Sequence, residues 1–164
     1  MLTIQKGTKD DLPAIAQLLV ETWQSSYQGF MPAKLLKGLS IAKQTMRHQQ
    51  YFEKGIQYWV VKNDAEVLLG FCSYGPCRNP AMQSPLELYT LYVDTQRQKR
   101  GIGSALLQKL VKTVKIEASS IGVSVFQRNP YRSFYQKNGF KTLGEAVIDL
   151  GGWQEDSLIM RKIF

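Results

Sequence analysis

The stretch Gln98-Lys99-Arg100-Gly101-Ile102-Gly103 has the residue types and spacing best suited to chemistry. It follows an apolar run and opens a segment with helical periodicity, so it joins a strand to a helix. The first backbone amides of a helix have no intrahelical acceptor, and the helix dipole adds positive potential in front of them. Glycines at 101 and 103 let phosphate oxygens reach the main chain, and Arg97, Lys99 and Arg100 add cations. A pyrophosphate suits that turn. Two common nucleotide motifs are excluded: there is no Gly-Lys-Ser/Thr ending, and Leu106 stands where a dinucleotide fingerprint needs a third glycine or alanine.

Other chemistry-bearing residues are few. Glu87 is a carboxylate at the start of an otherwise apolar run, an unusual place unless it is used or is a solvated strand end. Cys72, Cys77 and the single histidine, His48, are too few for a four-ligand zinc site, so no metal is expected. Cys72 reads as a small buried residue on a strand, Cys77 as a loop thiol and His48 as a surface helix residue. The net charge of +8 admits nucleic acid, acidic lipid or a phosphorylated cofactor as partner. Crowding of three cations into one glycine-bearing turn favours a local anion site, and no nucleic-acid-binding motif is recognisable.

The elements that must position these residues follow from periodicity. With 44% hydrophobic and 21% charged residues in 164, the chain reads as one globular domain over residues 1–164. No apolar run approaches the ~20 residues of a membrane span, and the first residues lack a signal-peptide pattern, so no membrane partner and a cytoplasmic location are expected. Residues 2–7 read as a strand, and Thr8 and Asp11 as a capping box for a helix carrying Leu12, Ile15, Leu18, Leu19 and Trp23. A helical region over 32–52 breaks near 38–40. Strands over 57–61 and 66–74 form a hairpin about Asn63-Asp64. The proline-rich segment 75–85 reads as a loop leading to a strand over 86–93. After the glycine turn, Ile102, Leu106, Leu107, Leu110, Val111 and Val114 trace one helical face, with Lys109, Lys112 and Lys115 outside. A strand over 121–126, parallel to the earlier one, a short helix over 131–138 and strands over 140–150 and 154–163 complete the chain.

Two linked motifs then carry a resemblance. The strand followed by Gln98-x-x-Gly101-x-Gly103 resembles motif A of the GNAT superfamily of acyl-CoA-dependent N-acetyltransferases. Some thirty residues later, Phe134-Tyr135-Gln136-Lys137-Asn138-Gly139-Phe140 is similar to that family's Phe-Tyr-x-x-x-Gly-Phe signature. The element order resembles the family over nearly the whole chain. Trp23-x-x-x-Tyr27-x-Gly29-x-Met31-Pro32 resembles a subgroup in which this early region borders the acceptor site. The implied fold is mixed α/β, a mostly antiparallel central sheet of six to seven strands flanked by about four helices.

The resemblance also implies an activity: transfer of acetyl from acetyl-CoA to a primary amine, on a small molecule, by direct transfer in a ternary complex. Protein N-terminal or lysine acetylation and a non-catalytic acyl-CoA-binding module are the alternatives. It implies that Gln98, Lys99, Arg100, Gly101, Ile102, Gly103 and Ser104 hold the cofactor pyrophosphate, and that Leu91, Tyr92 and Val93 pair with its pantetheine arm. Tyr135 matches the tyrosine that protonates the departing thiolate. Beside it, one of Phe134 and Tyr135 is expected in the core and the other toward the cofactor. Attack needs a neutral amine, and Glu87 is the candidate base. Asn129 corresponds to an asparagine near the cofactor, although its spacing to Tyr135 is one residue short of the family pattern, which puts Arg128 at the usual offset. Trp23, Tyr27 and Phe30 could wall an acceptor pocket, aromatic faces being suited to a cation or an aromatic amine. A homodimer is among the expected assemblies.

Overall fold

The computed structural model describes residues 1–164. Strand β1 (Thr3–Lys6) leads to a 3-10 turn, Lys9–Asp11, and helix α1 (Leu12–Ser26). The Thr8–Asp11 capping box is present, with the Thr8 amide donating to Asp11 Oδ2 at 2.8 Å. The Asp11 Oδ1 atom meets Lys62 Nζ at 2.9 Å. The break near residue 39 divides α2 (Ala33–Lys37) from α3 (Ile41–Glu53), and Ser40 Oγ caps α3 by accepting from Lys43 N at 3.2 Å.

Strands β2 (Gln57–Lys62) and β3 (Leu68–Pro76) form the expected hairpin, but β3 starts two residues late. Asn63 Oδ1 accepts from the amides of Ala65 and Val67, each at 3.0 Å, and Glu66 has φ of 60°, so the turn takes residues assigned to the strand. The loop read over 75–85 contains more structure than expected. Its Asn79 side chain caps a second 3-10 turn, Pro80–Met82, by accepting from Ala81 N at 3.0 Å. Then come β4 (Leu86–Val93), α4 (Ile102–Val114), β5 (Ser120–Phe126), α5 (Arg132–Lys137), β6 (Lys141–Asp149) and β7 (Gln154–Ile163).

The seven strands run in the order β1-β2-β3-β4-β5-β7-β6 in an open, mostly antiparallel sheet with five α-helices, as the mixed α/β expectation had it. β4 and β5 are parallel, and their register covers only Leu86, Leu88 and the residue between them against Ile121, Gly122 and Val123. A parallel pair is what a crossover helix such as α4 allows between two strands. By contacts the chain forms two compact units, Met1–Tyr74 with Thr90–Leu110, and Gly75–Tyr89 with Val111–Phe164.

The first unit buries Ile15, Leu19, Val60, Phe71, Leu106 and Leu110, each at 6% exposure or less. The α4 residues among them belong to the helical face read from the sequence. The second unit buries Met82, Leu88, Ile121, Val123, Ile159 and Met160. Gly122 is required by close approach there, because an added Cβ would lie 2.6 Å from Met82 Sδ. Cys72 is buried and Cys77 is a partly exposed loop thiol, as expected, and both are free.

Candidate functional site

The glycine turn is built by its own backbone. Lys99 and Gly101 have φ of 62° and 84°, so the chain turns left-handed on both sides of Arg100 before entering α4. An added Cβ at Gly101 would meet nothing within 4 Å; its glycine is needed for conformation, and the space before it is open. Ala105 N donates to Gly101 O at 2.9 Å, the first closed helical turn. The amides of Ile102, Gly103 and Ser104 are therefore first-turn donors of α4.

Two side chains brace this turn. Asp94 Oδ1 accepts from Gln96 N at 2.8 Å and its Oδ2 lies 3.5 Å from Arg97 Nη1. Gln98 donates from Nε2 to Val93 O at 3.1 Å, tying the turn to the end of β4. Arg97 is thus paired, while Lys99 and Arg100 are exposed beside the helix start. Of the three β4 residues expected to meet a pantetheine arm, Leu91 and Tyr92 are half-buried and Val93 is buried. An anion facing the α4 start would meet oriented donors and two exposed cations.

The same unit brings the predicted acceptor wall together. Trp23 and Tyr27 are edge-to-face with centroids 5.1 Å apart, and Tyr27 and Phe30 lie 5.2 Å apart. Trp23 Nε1 donates to Tyr92 OH at 2.8 Å. Burial pushes the Tyr92 phenol up from its ordinary range, opposed by its hydrogen bonds to Trp23 and Tyr27 and by the Arg47 charge. Tyr92 in turn lies 5.7 Å from Phe71.

His48 corrects the surface assignment: it is 2% exposed, and its Nδ1 is 2.8 Å from Tyr58 OH. Its ring is edge-on to Phe71 and to Tyr51, at 6.2 and 5.8 Å. Burial, then the Arg47 charge, pulls its pKa down to about 4, and burial pushes the Tyr58 phenol up. The signal was available in the sequence, since Thr45, His48, Tyr51 and Phe52 recur at helical spacing and share a face.

In the second unit Glu87 is neither solvated nor alone. It is 4% exposed; Oε2 accepts from Arg78 N at 2.9 Å and Arg78 Nε at 3.1 Å, and Oε1 accepts from Arg78 Nη2 at 2.8 Å. The Arg78 guanidinium also stacks over Tyr89, 3.9 Å from the ring centre, and Tyr89 OH donates to Pro76 O. Arg78 lies in a segment with no periodicity, and no sequence signal pairs it with Glu87.

Phe134 and Tyr135 sit on α5, edge-to-face at 5.3 Å, and Tyr135 meets Phe140 at 5.6 Å. Neither is a core residue, contrary to the expected division between core and cofactor, because α5 is short and buries no side chain. Asn129 Oδ1 accepts from Tyr131 N at 2.8 Å and so shapes the entry to α5. The neighbouring Arg128 is committed elsewhere, forking onto buried Glu155 through Nε and Nη2 at 2.8 and 2.9 Å.

Strand β4, the glycine turn, α4, β5 and the α5 helix that carries Tyr135 follow one another in the order that the resemblance implied. The family model for the acetyltransferase (GNAT) domain matches residues 54–142, more than half of the chain, and the protein belongs to that family. Among curated relatives, an uncharacterised N-acetyltransferase of Bacillus subtilis, YuaI, is 28% identical over 169 residues, covering 97% of this chain and 96% of its own. Mouse N-acetyltransferase 8 is 24% identical over 114 residues, covering 68% of this chain and 50% of its own.

Among solved structures, the PaiA N-acetyltransferase of Thermoplasma acidophilum in complex with coenzyme A superposes with a TM-score of 0.79 at 23% identity, covering 100% of this chain and 99% of its own. A ribosomal-protein-alanine N-acetyltransferase of Brucella melitensis gives 0.72 at 20% identity, covering 99% of each chain. These structural likenesses are of fold. No helix is long and apolar enough to cross a membrane.

Proposed function

We propose that residues 1–164 work as one acetyltransferase domain that moves the acetyl group of acetyl-CoA to the primary amine of a small molecule, directly, in a ternary complex. The observation that carries this reading is the left-handed turn at Lys99 and Gly101 leading into α4, whose first-turn amides have no intrahelical acceptor. Open space before Gly101 and the exposed Lys99 and Arg100 fit a pyrophosphate. Gln98 through Ser104 are assigned to that group, Leu91, Tyr92 and Val93 to the pantetheine arm, and Asn129 and Phe134 to the cofactor side. Bound acetyl-CoA would supply a thioester carbonyl carbon open to attack and a sulfur that leaves as thiolate.

The rest of the chemistry falls to side chains of this chain. A new N–C bond forms as the thioester C–S bond breaks, and Tyr135 gives its phenolic proton to the departing sulfur. The amine's proton is assigned to Glu87, directly or through water. Both Glu87 oxygens are held by Arg78, so this role requires the half-exposed arginine to yield or share the carboxylate. Trp23, Tyr27 and Phe30 are assigned to the acceptor, held in one cluster by Tyr92. No covalent enzyme intermediate is invoked; alignment and electrostatics supply the acceleration. The two free thiols suit the reducing cytoplasm.

Titration calorimetry with acetyl-CoA tests the assignment of the turn. The natural chain binds, and Gly103→Asp, which sets a carboxylate against the phosphate, weakens binding about tenfold or more. Absence of binding by the natural chain would overturn it.

A further inference from the structure

The acceptor wall stands in a part of the chain that has no acidic residue. Between Glu21 and Glu53 there is not one Asp or Glu, while Lys34, Lys37, Lys43 and Arg47 are all present. Residues 22–52 thus carry four of the net eight positive charges, four cations less no carboxylates, and they include Trp23, Tyr27 and Phe30. All four cations are exposed and none takes part in an ion pair.

Arg47 differs from the three lysines in being oriented. Its Nε donates to Tyr51 OH at 3.0 Å and its guanidinium carbon lies 5.6 Å from the Tyr51 ring centre. Tyr51 packs on His48, His48 on Phe71 and Phe71 on Tyr92, whose hydroxyl receives Trp23 Nε1. The Arg47 charge reaches both ends of this chain of rings, acting on the His48 imidazole and on the Tyr92 hydroxyl. With Nε occupied, the terminal nitrogens keep a planar fork suited to a carboxylate or phosphate.

We infer that the acceptor is a primary amine that also bears an anionic group, a carboxylate or a phosphate, and that Arg47 holds this group beside the Trp23–Tyr92 cluster. The inference rests on the acetyltransferase reading and deepens it. The aromatic cluster could otherwise receive a polycationic amine, but residues 22–52, which carry the cluster's Trp23, Tyr27 and Phe30, offer four cations and no carboxylate to meet its second ammonium. Aromatic faces alone are a small return for that repulsion. An amine with an adjacent anion reverses the sign of the long-range term and gains a directed contact.

The test compares matched acceptors with the full chain and acetyl-CoA, following coenzyme A release. The pairs are phenylalanine against phenethylamine, and phosphoethanolamine against ethanolamine, with spermidine as the polycation. At least one anionic member exceeds its neutral partner in kcat/KM by about tenfold or more, and Arg47→Gln collapses that ratio toward one. Arg47→Lys retains part of it, and Lys115→Gln, an exposed charge outside residues 22–52, leaves it unchanged. The two pairs separate carboxylate from phosphate.

Preference for spermidine or for both neutral members overturns the inference while leaving the acetyltransferase reading standing. So does an Arg47→Gln variant in which KM for acetyl-CoA rises and the acceptor ratio does not move, since the arginine would then serve the cofactor. Calorimetry of the same pairs in the presence of coenzyme A reads the anion site without turnover: tighter binding of an anionic member, lost in Arg47→Gln, supports it, and equal binding overturns it. Failure of the acetyltransferase reading is distinct, because it shows as no binding of acetyl-CoA.

Discussion

Tyr135 and His48 are two ionisable rings with contrasting places: one is proposed to give up a proton, and the other is held neutral by burial. The proposed role of Tyr135 is to give its phenolic proton to the coenzyme A sulfur as the C–S bond breaks. Tyr135→Phe removes only that hydroxyl, so kcat should fall by roughly 10²-fold or more with the acetyl-CoA dissociation constant unchanged. Steady-state kinetics paired with calorimetry checks both halves, and an unchanged kcat removes Tyr135 from the mechanism. His48 has the opposite character: burial holds it neutral, with a pKa of about 4. In the unfolded chain it binds a proton near pH 6.5. Its folded pKa is depressed, so the unfolded state gains protons first as pH falls, and stability present above about 6.5 is lost down to about 4. The loss is on the order of 3 kcal/mol. Urea unfolding across that window should show it, and the slope should flatten in His48→Asn. Neither residue's environment was equally legible beforehand. Tyr135 was read from a motif, whereas burial of His48 required noticing its helical spacing with Thr45, Tyr51 and Phe52.

At the scale of the element, the turn entering α4 links sequence to function through backbone conformation. Gly101 adopts φ of 84°, where an added Cβ meets open space yet the dihedral itself is unfavourable. Gly101→Ala should therefore destabilise the fold by about 1–2 kcal/mol, measured by urea denaturation, and weaken acetyl-CoA binding by straining the same amides. A variant as stable as the natural chain that also binds as well would show that the turn relaxes without consequence. Periodicity made most elements readable: Ile102, Leu106, Leu107, Leu110 and Val114 form the buried face of α4, and the order through β5 and α5 stands as expected. The departures arise where side chains compete for backbone donors. Asn63 and Asn79 each accept backbone amides, one delaying β3 to Leu68 and the other folding a 3-10 turn into the proline-rich loop. Glu87 is the most instructive case. Its position on β4 was evident, but its meaning depends on Arg78, nine residues earlier and brought to it by that loop.

For the whole molecule, strand order and family membership agree: a seven-stranded sheet with a short parallel β4–β5 register, in a chain that belongs to the GNAT acetyltransferases. The overall charge of +8 first raised the prospect of an extended anionic partner. Half of it lies in residues 22–52, around the proposed acceptor wall, and Lys99 and Arg100 lie at the turn, so the charge is better read as two local demands for anions. The proposed acceptor side was the least legible part of the sequence, because its rings come from α1, α3 and β4 and only packing shows which of them meet. The most direct test of the central claim is amine-dependent release of coenzyme A from acetyl-CoA by the purified chain. The account predicts thiol release that requires both an acceptor amine and the natural turn at residues 98–103. No release above the amine-free background with any acceptor, together with no binding of acetyl-CoA, would contradict it.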